Sequence, residues 1–216
     1  MVDDAPAPTI DAITVADEPD TWRAAGFAVD DDGVTRLGTV RVELVGRARG
    51  KRIIGWSLRD LGTDQLDGLP TTISARAPDP PNAHPNGVEL IDHVVIVSAD
   101  IDRTLAALAT AGIVAARTRE IDADQYGFAA RQIFFRLGEV ILELIGGKEP
   151  TGDDPARFFG LAHTVADLDA TQRLLGDHLP NVKDAVQRGR RIATLRHKEL
   201  DMSVATAFMS RGAGAI

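Results

Sequence analysis

Two polar residues interrupt otherwise apolar runs in this chain. His93 lies in LIDHVVIV and Glu143 in EVILELIG. An imidazole beside a carboxylate is half of a binding site for Zn, Fe, Mn or Ni. Without metal, the same pair is a general base with a neighbouring group to hold it. A catalytic metal usually takes three protein ligands and keeps one position open, so a metal here needs a further donor. His163 is the nearest candidate, but strand alternation groups it with Leu161 and Val165, facing the helices. A hydrogen-bonded histidine behind the sheet is the reading there. His197 reads as a solvated surface residue near a strand end; His84, in a linker, and His178, at a helix end, receive no role. The stretch RGRRIATLRHK, 188–198, offers a second chemistry. If its arginines, Arg190, Arg191 or Arg196, reach a cleft, they can grip a carboxylate or phosphate; otherwise they form a solvated hairpin. RARGK at 47–51 repeats this basic character. Phe134 and Phe135 are adjacent, so one faces the cleft and one the helices, and Phe134 is assigned to the ligand wall. Trp56 reads as core. No phosphate-cradling glycine loop, nucleophile elbow or HExxH helix is present.

The elements that must position these groups follow from periodicity. Leu90–Glu149 reads as strand, helix and three further strands, a βαβββ unit. Its helix has Ile101, Leu105 and Leu108 on one face, Asp100 as N-cap and Gly112 as stop. FFGLAHTVADLDATQRLLGDHL repeats the scheme with a strand over 158–165, an Asp167 cap and a helix over 168–179, and two further strands are expected near 189–197 and 203–210. On the first strand His93, Val95 and Val97 share a face; on the last, Glu139, Ile141 and Glu143 do. Glu143, flanked by Leu142 and Leu144, should face a wet cleft, because burying it alone is costly.

The chain also repeats on a larger scale. RLGTVRVELVG at 36–46 and RLGEVILELIG at 136–146 share seven of eleven residues, and Ile10-Asp11 aligns with Ile91-Asp92. This predicts an α+β fold of paired βαβββ modules and a tandem duplication whose first copy is truncated. The organisation expected is a disordered tail at 1–8, the truncated copy at 9–69, a Pro-rich extended linker at 70–88 and the complete copy at 89–211.

The I-D-H-x-V start, the strand ending in E-L-I and V-A-D-L-D opening a helix resemble the vicinal oxygen chelate superfamily, the glyoxalase, bleomycin-resistance and extradiol-dioxygenase group. The resemblance implies paired modules whose curled mixed sheets enclose a glyoxalase-like cleft, each module offering two inward positions to a divalent metal. Carried onto this chain, those positions are His93, Glu143, Gly160 and Ala207, so two carry ligands and two carry none. In the first copy Ala12 replaces the histidine and Glu43 reads as a relic. The resemblance therefore implies a small-molecule binding protein with a degenerate metal site. The alternative is a metal-dependent lyase, isomerase or dioxygenase using His93 and Glu143 plus a third, unidentified ligand.

Composition narrows the partners. A net charge of −8 argues against nucleic acid or anionic membrane, and the absence of cysteine excludes thiolate chemistry and points to the cytoplasm. No apolar run is long enough to span a bilayer. The incomplete first copy leaves a sheet edge that needs covering, by the second copy or by a homodimer partner.

Overall fold

The computed structural model describes residues 6–122 and 129–212. Most of the tail expected at 1–8 lies outside them, but Pro8 is buried where it leads into the first strand.

The chain forms two mixed sheets. The first contains β1 (Thr9–Val15), β2 (Val34–Leu37), β3 (Val40–Leu44), β4 (Ile53–Arg59) and β5 (Thr71–Ile73), in the order β2-β3-β1-β4-β5. One short helix, α1 (Pro19–Ala24), follows β1. The second sheet contains β6 (Val88–Ser98), β7 (Ala115–Ile121), β8 (Ala130–Leu137), β9 (Val140–Gly147), β10 (Arg157–Val165), β11 (Lys183–Asp184), β12 (Arg191–Thr194) and β13 (Ala205–Ser210). Its order is β11-β12-β13-β10-β6-β9-β8-β7. Helices α2 (Ile101–Thr110) and α3 (Leu168–Leu175) begin at Asp100 and Asp167. Each aspartate accepts two backbone N–H groups of the first helical turn, at 2.9–3.1 Å, which satisfies donors the helix itself leaves free. Among the described residues no helix is long and apolar enough to cross a membrane.

The five central strands of the second sheet, β8-β9-β6-β10-β13, repeat the order and the strand senses of the first. Registers agree as well. Ala12 lies opposite Arg41 and Thr14 opposite Glu43, as His93 lies opposite Ile141 and Val95 opposite Glu143. The first copy lacks counterparts of β7, α3, β11 and β12. Part of the stretch expected as linker is structured: Thr71–Ile73 forms β5, in the place that β13 holds in the second copy. The rest of that stretch is pinned rather than free. Asn82 accepts the Arg36 N–H, His84 Nδ1 accepts the Ala28 N–H, and the Asn86 amide donates to the Ala25 carbonyl, at 2.7–3.0 Å. Fixed partners for backbone groups outweigh the Pro-rich composition here.

One continuous apolar core joins both copies. Trp22 and Phe27 of the first copy pack against Phe208 and His163 of the second. Asp17, fully buried, accepts from Trp22 Nε1 (3.2 Å) and from the backbone N (3.0 Å) and Oγ (2.6 Å) of Ser203. The β2–β3 turn also meets the second copy, where Thr39 Oγ1 donates to Glu139 (2.9 Å).

Candidate functional site

His93 and Glu143 come together. His93 Nε2 lies 3.6 Å from Glu143 Oε2. Alternation explains this: Val94 and Ile96 are buried on the helix side, which leaves His93, Val95 and Val97 on the other face. Glu143 sits beside Val95 on β9 with Phe134 across from it on β8. The sheet curls so that residues from its two ends, Arg117 of β7 and Val186, Gln187 and Arg190 beside β12, line one cavity of about 440 Å3 with His93 and Glu143. Phe134 and Phe135 both border it; Phe134 is in register with Glu143, and Phe135, in register with Leu142, is fully buried.

A residue that alternation sends to the wrong side joins them. Ile91 pairs with His163 and His93 with Ala162, so Asp92 is an extra residue on β6. This β-bulge breaks the alternation and turns two consecutive side chains to the same face. Asp92 Oδ1 lies 2.9 Å from His93 Nδ1, while its Oδ2 accepts from Thr164 Oγ1 (2.8 Å) and from Arg190 Nη2. Burial works against the charged carboxylate, but the hydrogen bonds from His93 and Arg190 outweigh it and hold Asp92 well below the usual carboxylate range. Asp92 holds the ring through Nδ1, which turns His93 Nε2 toward Glu143 on the cleft side. Gln132 Nε2 donates to Glu143 Oε1. Gln132 Oε1 is buried without a partner among the described residues.

The cleft is rich in arginine. Arg117 pairs in register with Phe134, and Arg136 with Ile141, so both lie on the cleft face. Neither forms an ion pair among the described residues, whereas Arg190 is committed to Asp92. Arg191 and Arg196 lie outside the cleft. Arg191 forms a bidentate pair with Asp169 at the start of α3 (2.9 and 2.8 Å), and Arg196, exposed, lies 3.6 Å from Glu199. The inward direction belongs to Arg190, one residue earlier; a slip of one residue exchanges the faces of a strand. Asp92, Arg117 and Arg136 are further cleft residues that the sequence alone does not single out, and Gln132 is a further neighbour of Glu143. A signal for Asp92 existed, because the Ile-Asp pair occurs at the same place in both copies.

His163 faces the helix side as alternation requires, but neither ring nitrogen has a hydrogen-bond partner among the described residues. It is fully buried among Trp22, Phe27 and Phe208. Burial, with the fields of His84 and His93 acting the same way, pushes its pKa down to about 3. An unpaired imidazole in an aromatic cage thus replaces the hydrogen-bonded one expected. His84, which drew no role, bridges Ala28 N and the Arg36 carbonyl.

The remaining positions implied for a metal are apolar. Gly160 lies opposite Val95, and Ala207 pairs with Ala162 as Glu143 pairs with Val95. They hold the places of His93 and Glu143 in the second module, and neither carries a donor. A Cβ on Gly160 would lie 2.4 Å from the Ala205 carbonyl oxygen, so even an alanine there needs the backbone to move. No group of three His, Asp or Glu placed to hold a metal occurs among the described residues. Two donors fall short of a catalytic centre, and the residues present do not fit one. In the first copy the equivalent face is filled by its own charges. Asp11, on a bulge like that of Asp92, is bound by Arg41 (2.9 Å) and Arg59 (2.6 Å), and Glu43 by Arg41 (2.6 Å).

No family model matches the chain, and no curated protein matches it in sequence. Solved structures do. One match that spans nearly the whole chain is a triple mutant of 4-hydroxymandelate synthase from Streptomyces coelicolor, at 16% identity and a TM-score of 0.61, covering 98% of this chain and 95% of that one. Methylmalonyl-CoA epimerase from Mycobacterium tuberculosis matches at 19% identity and a TM-score of 0.45, over 58% of this chain and 90% of that one. A variant of the Streptomyces coelicolor epimerase in complex with 2-nitronate-propionyl-CoA matches at 23% and 0.44, over 58% and 96%. The chain thus has the fold of 4-hydroxymandelate synthase, an α+β fold of the kind the resemblance implied.

Proposed function

We propose that the second copy binds a small organic anion in its cleft, and that binding does not depend on a catalytic metal. The observation that carries this reading is the pair Arg117 and Arg136, two guanidinium groups on the cleft face with no carboxylate of their own among the described residues. Guanidinium groups match a carboxylate in charge and in geometry. Phe134 and Ile141 supply an apolar wall for the ligand's carbon skeleton. His93 then acts on the ligand through Nε2, as hydrogen-bond acceptor for a hydroxyl or as base toward an acidic proton. Asp92 stabilises the ring when it takes the proton; Arg190 helps keep Asp92 ionised, and Thr164 donates to the same carboxylate oxygen.

Calorimetric titration with a panel of small carboxylic acids tests this. Binding is expected to survive chelator treatment and to weaken about tenfold in Arg117→Ala and in Arg136→Ala, the loss typical of a charge-assisted hydrogen bond. Unchanged affinity in both variants would refute the anion reading. A second reading, a metal site with a third donor, has one observation in its favour. Gln132, whose amide already contacts Glu143, has a buried oxygen without a partner among the described residues and is the candidate third donor. Stoichiometric metal that is lost in both His93→Ala and Gln132→Ala would establish it instead.

A further inference from the structure

The two basic stretches seen in the sequence lie far apart in the chain and meet in space. Arg47, Lys51 and Arg52, between β3 and β4, face His197 and Lys198, between β12 and β13, across a cavity of about 280 Å3. None of its lining residues belongs to the cleft around His93. Its floor is built. Arg47 Nε lies 3.2 Å from buried Asp17, and Arg47 Nη2 donates to the Asp201 carbonyl. Ser203 Oγ accepts the Arg52 N–H (2.7 Å) and donates to Asp17 (2.6 Å). Asp17 therefore neutralises Arg47 from beneath, and Asp201 is the one acid in the lining. Lys51, Arg52 and Lys198 have no ion-pair partner among the described residues. In a protein of net charge −8, carboxylates to compensate them are plentiful, yet these cations face one another across a concavity. Like charges so placed repel, and an anion between them relieves the repulsion. Burial keeps His197 below its ordinary range, with Lys198 and Arg52 acting in the same direction, so near neutral pH its ring is a hydrogen-bonding group rather than a further cation.

We propose that this cavity is a second anion site, formed jointly by the two copies, that takes a phosphate or diphosphate group. Ammonium and guanidinium groups converging from two walls suit tetrahedral oxyanions, which offer acceptors in several directions. The group can be free or the end of a larger molecule such as a nucleotide, and the two sources are separable. Because the lining residues come from both copies, the bound group links them and stabilises the fold by mass action.

The test is a thermal-shift and calorimetric titration of the full chain at low ionic strength with pyrophosphate and, separately, with ADP. Saturable binding by pyrophosphate is expected, weakened about tenfold or more when Lys51→Glu and Lys198→Glu are combined. Affinity for ADP well above that for pyrophosphate identifies the nucleotide end as the ligand, and equal affinity identifies the inorganic group. Both lysines are exposed, so the double variant should fold; Lys51→Ala, checked by circular dichroism, provides a milder version. Saturable binding that persists undiminished in both variants would overturn the proposal, as would no saturable binding of either compound. Titration with small carboxylic acids in the same variants should be unaffected, which separates this site from the cleft.

Discussion

Replacing His163 by leucine should remove an acid-sensitive weakness from the fold. The imidazole is fully buried, has no hydrogen-bond partner among the described residues and has its pKa pushed from an ordinary 6.5 down to about 3. The folded protein therefore keeps the ring neutral across the range in which the unfolded chain protonates it. The sign follows from linkage. A histidine whose folded pKa is depressed contributes its full stability above pH 6.5, and that stability is lost as the pH falls toward 3. Each pH unit below 6.5 costs about 1.4 kcal/mol, so at pH 5 the loss is about 2 kcal/mol. His84 and His197 are also depressed, chiefly by burial, and lose stability in the same direction. They are present in both proteins and cancel in the comparison. Depressed carboxylates such as Asp92 and Asp11 contribute stability that is lost only at lower pH. Urea denaturation at pH 7.5 and pH 5.0 is the assay. The wild type should lose about 2 kcal/mol more than His163→Leu between the two pH values. The reasoning fails if the two proteins show the same pH dependence, or if the His163 ring titrates near 6.5 by NMR in the folded state.

Two further predictions concern the joint between the copies. Asp17→Ala leaves the Ser203 N–H, the Trp22 indole N–H and the Arg47 guanidinium without their shared acceptor; a loss of about 3 kcal/mol is expected by chemical denaturation, and a loss below about 1 kcal/mol would mean the clamp carries little. Gly38→Ala places a side chain at a φ of +60°, with its Cβ 3.0 Å from that of Leu90 and into the Glu139 carboxylate that binds Thr39. It should cost about 1–2 kcal/mol, while Gly152→Ala, with nothing within 4 Å, serves as the neutral control.

Much of this architecture could be read from residue periodicity. The His93–Glu143 meeting follows from counting by twos along two strands, and the two empty positions at Gly160 and Ala207 from carrying the inward positions that the resemblance implies onto the matching strands. Both arguments hold because side-chain direction in a regular strand is fixed by parity. Parity is also why the reading stopped short. The bulge at Asp92 adds one residue and resets the count, and nothing in a single run of letters marks it except its recurrence at Asp11. Periodicity does not choose among Arg190, Arg191 and Arg196 for a similar reason, since on a strand only four residues long one residue exchanges the faces. Arg117 and Arg136 belong to strands whose cleft face was legible once Phe134 was placed, but partnerless charge is a tertiary property. The Pro-rich stretch concealed β5 because composition reports a tendency to be extended, and an extended segment beside an open sheet edge can pair with it.

The paired bulges carry a last implication. Both halves of the chain retain an aspartate at the same backbone irregularity and a glutamate at the same register, yet in the first half Arg41 reaches across to both. That arginine plays the part of a permanent guest: its own chain occupies the seat. The molecule thus contains its own control experiment, one half quenched from within and the other open to whatever arrives from solution. Shortening Arg41 would show whether the quenched half can still receive a visitor.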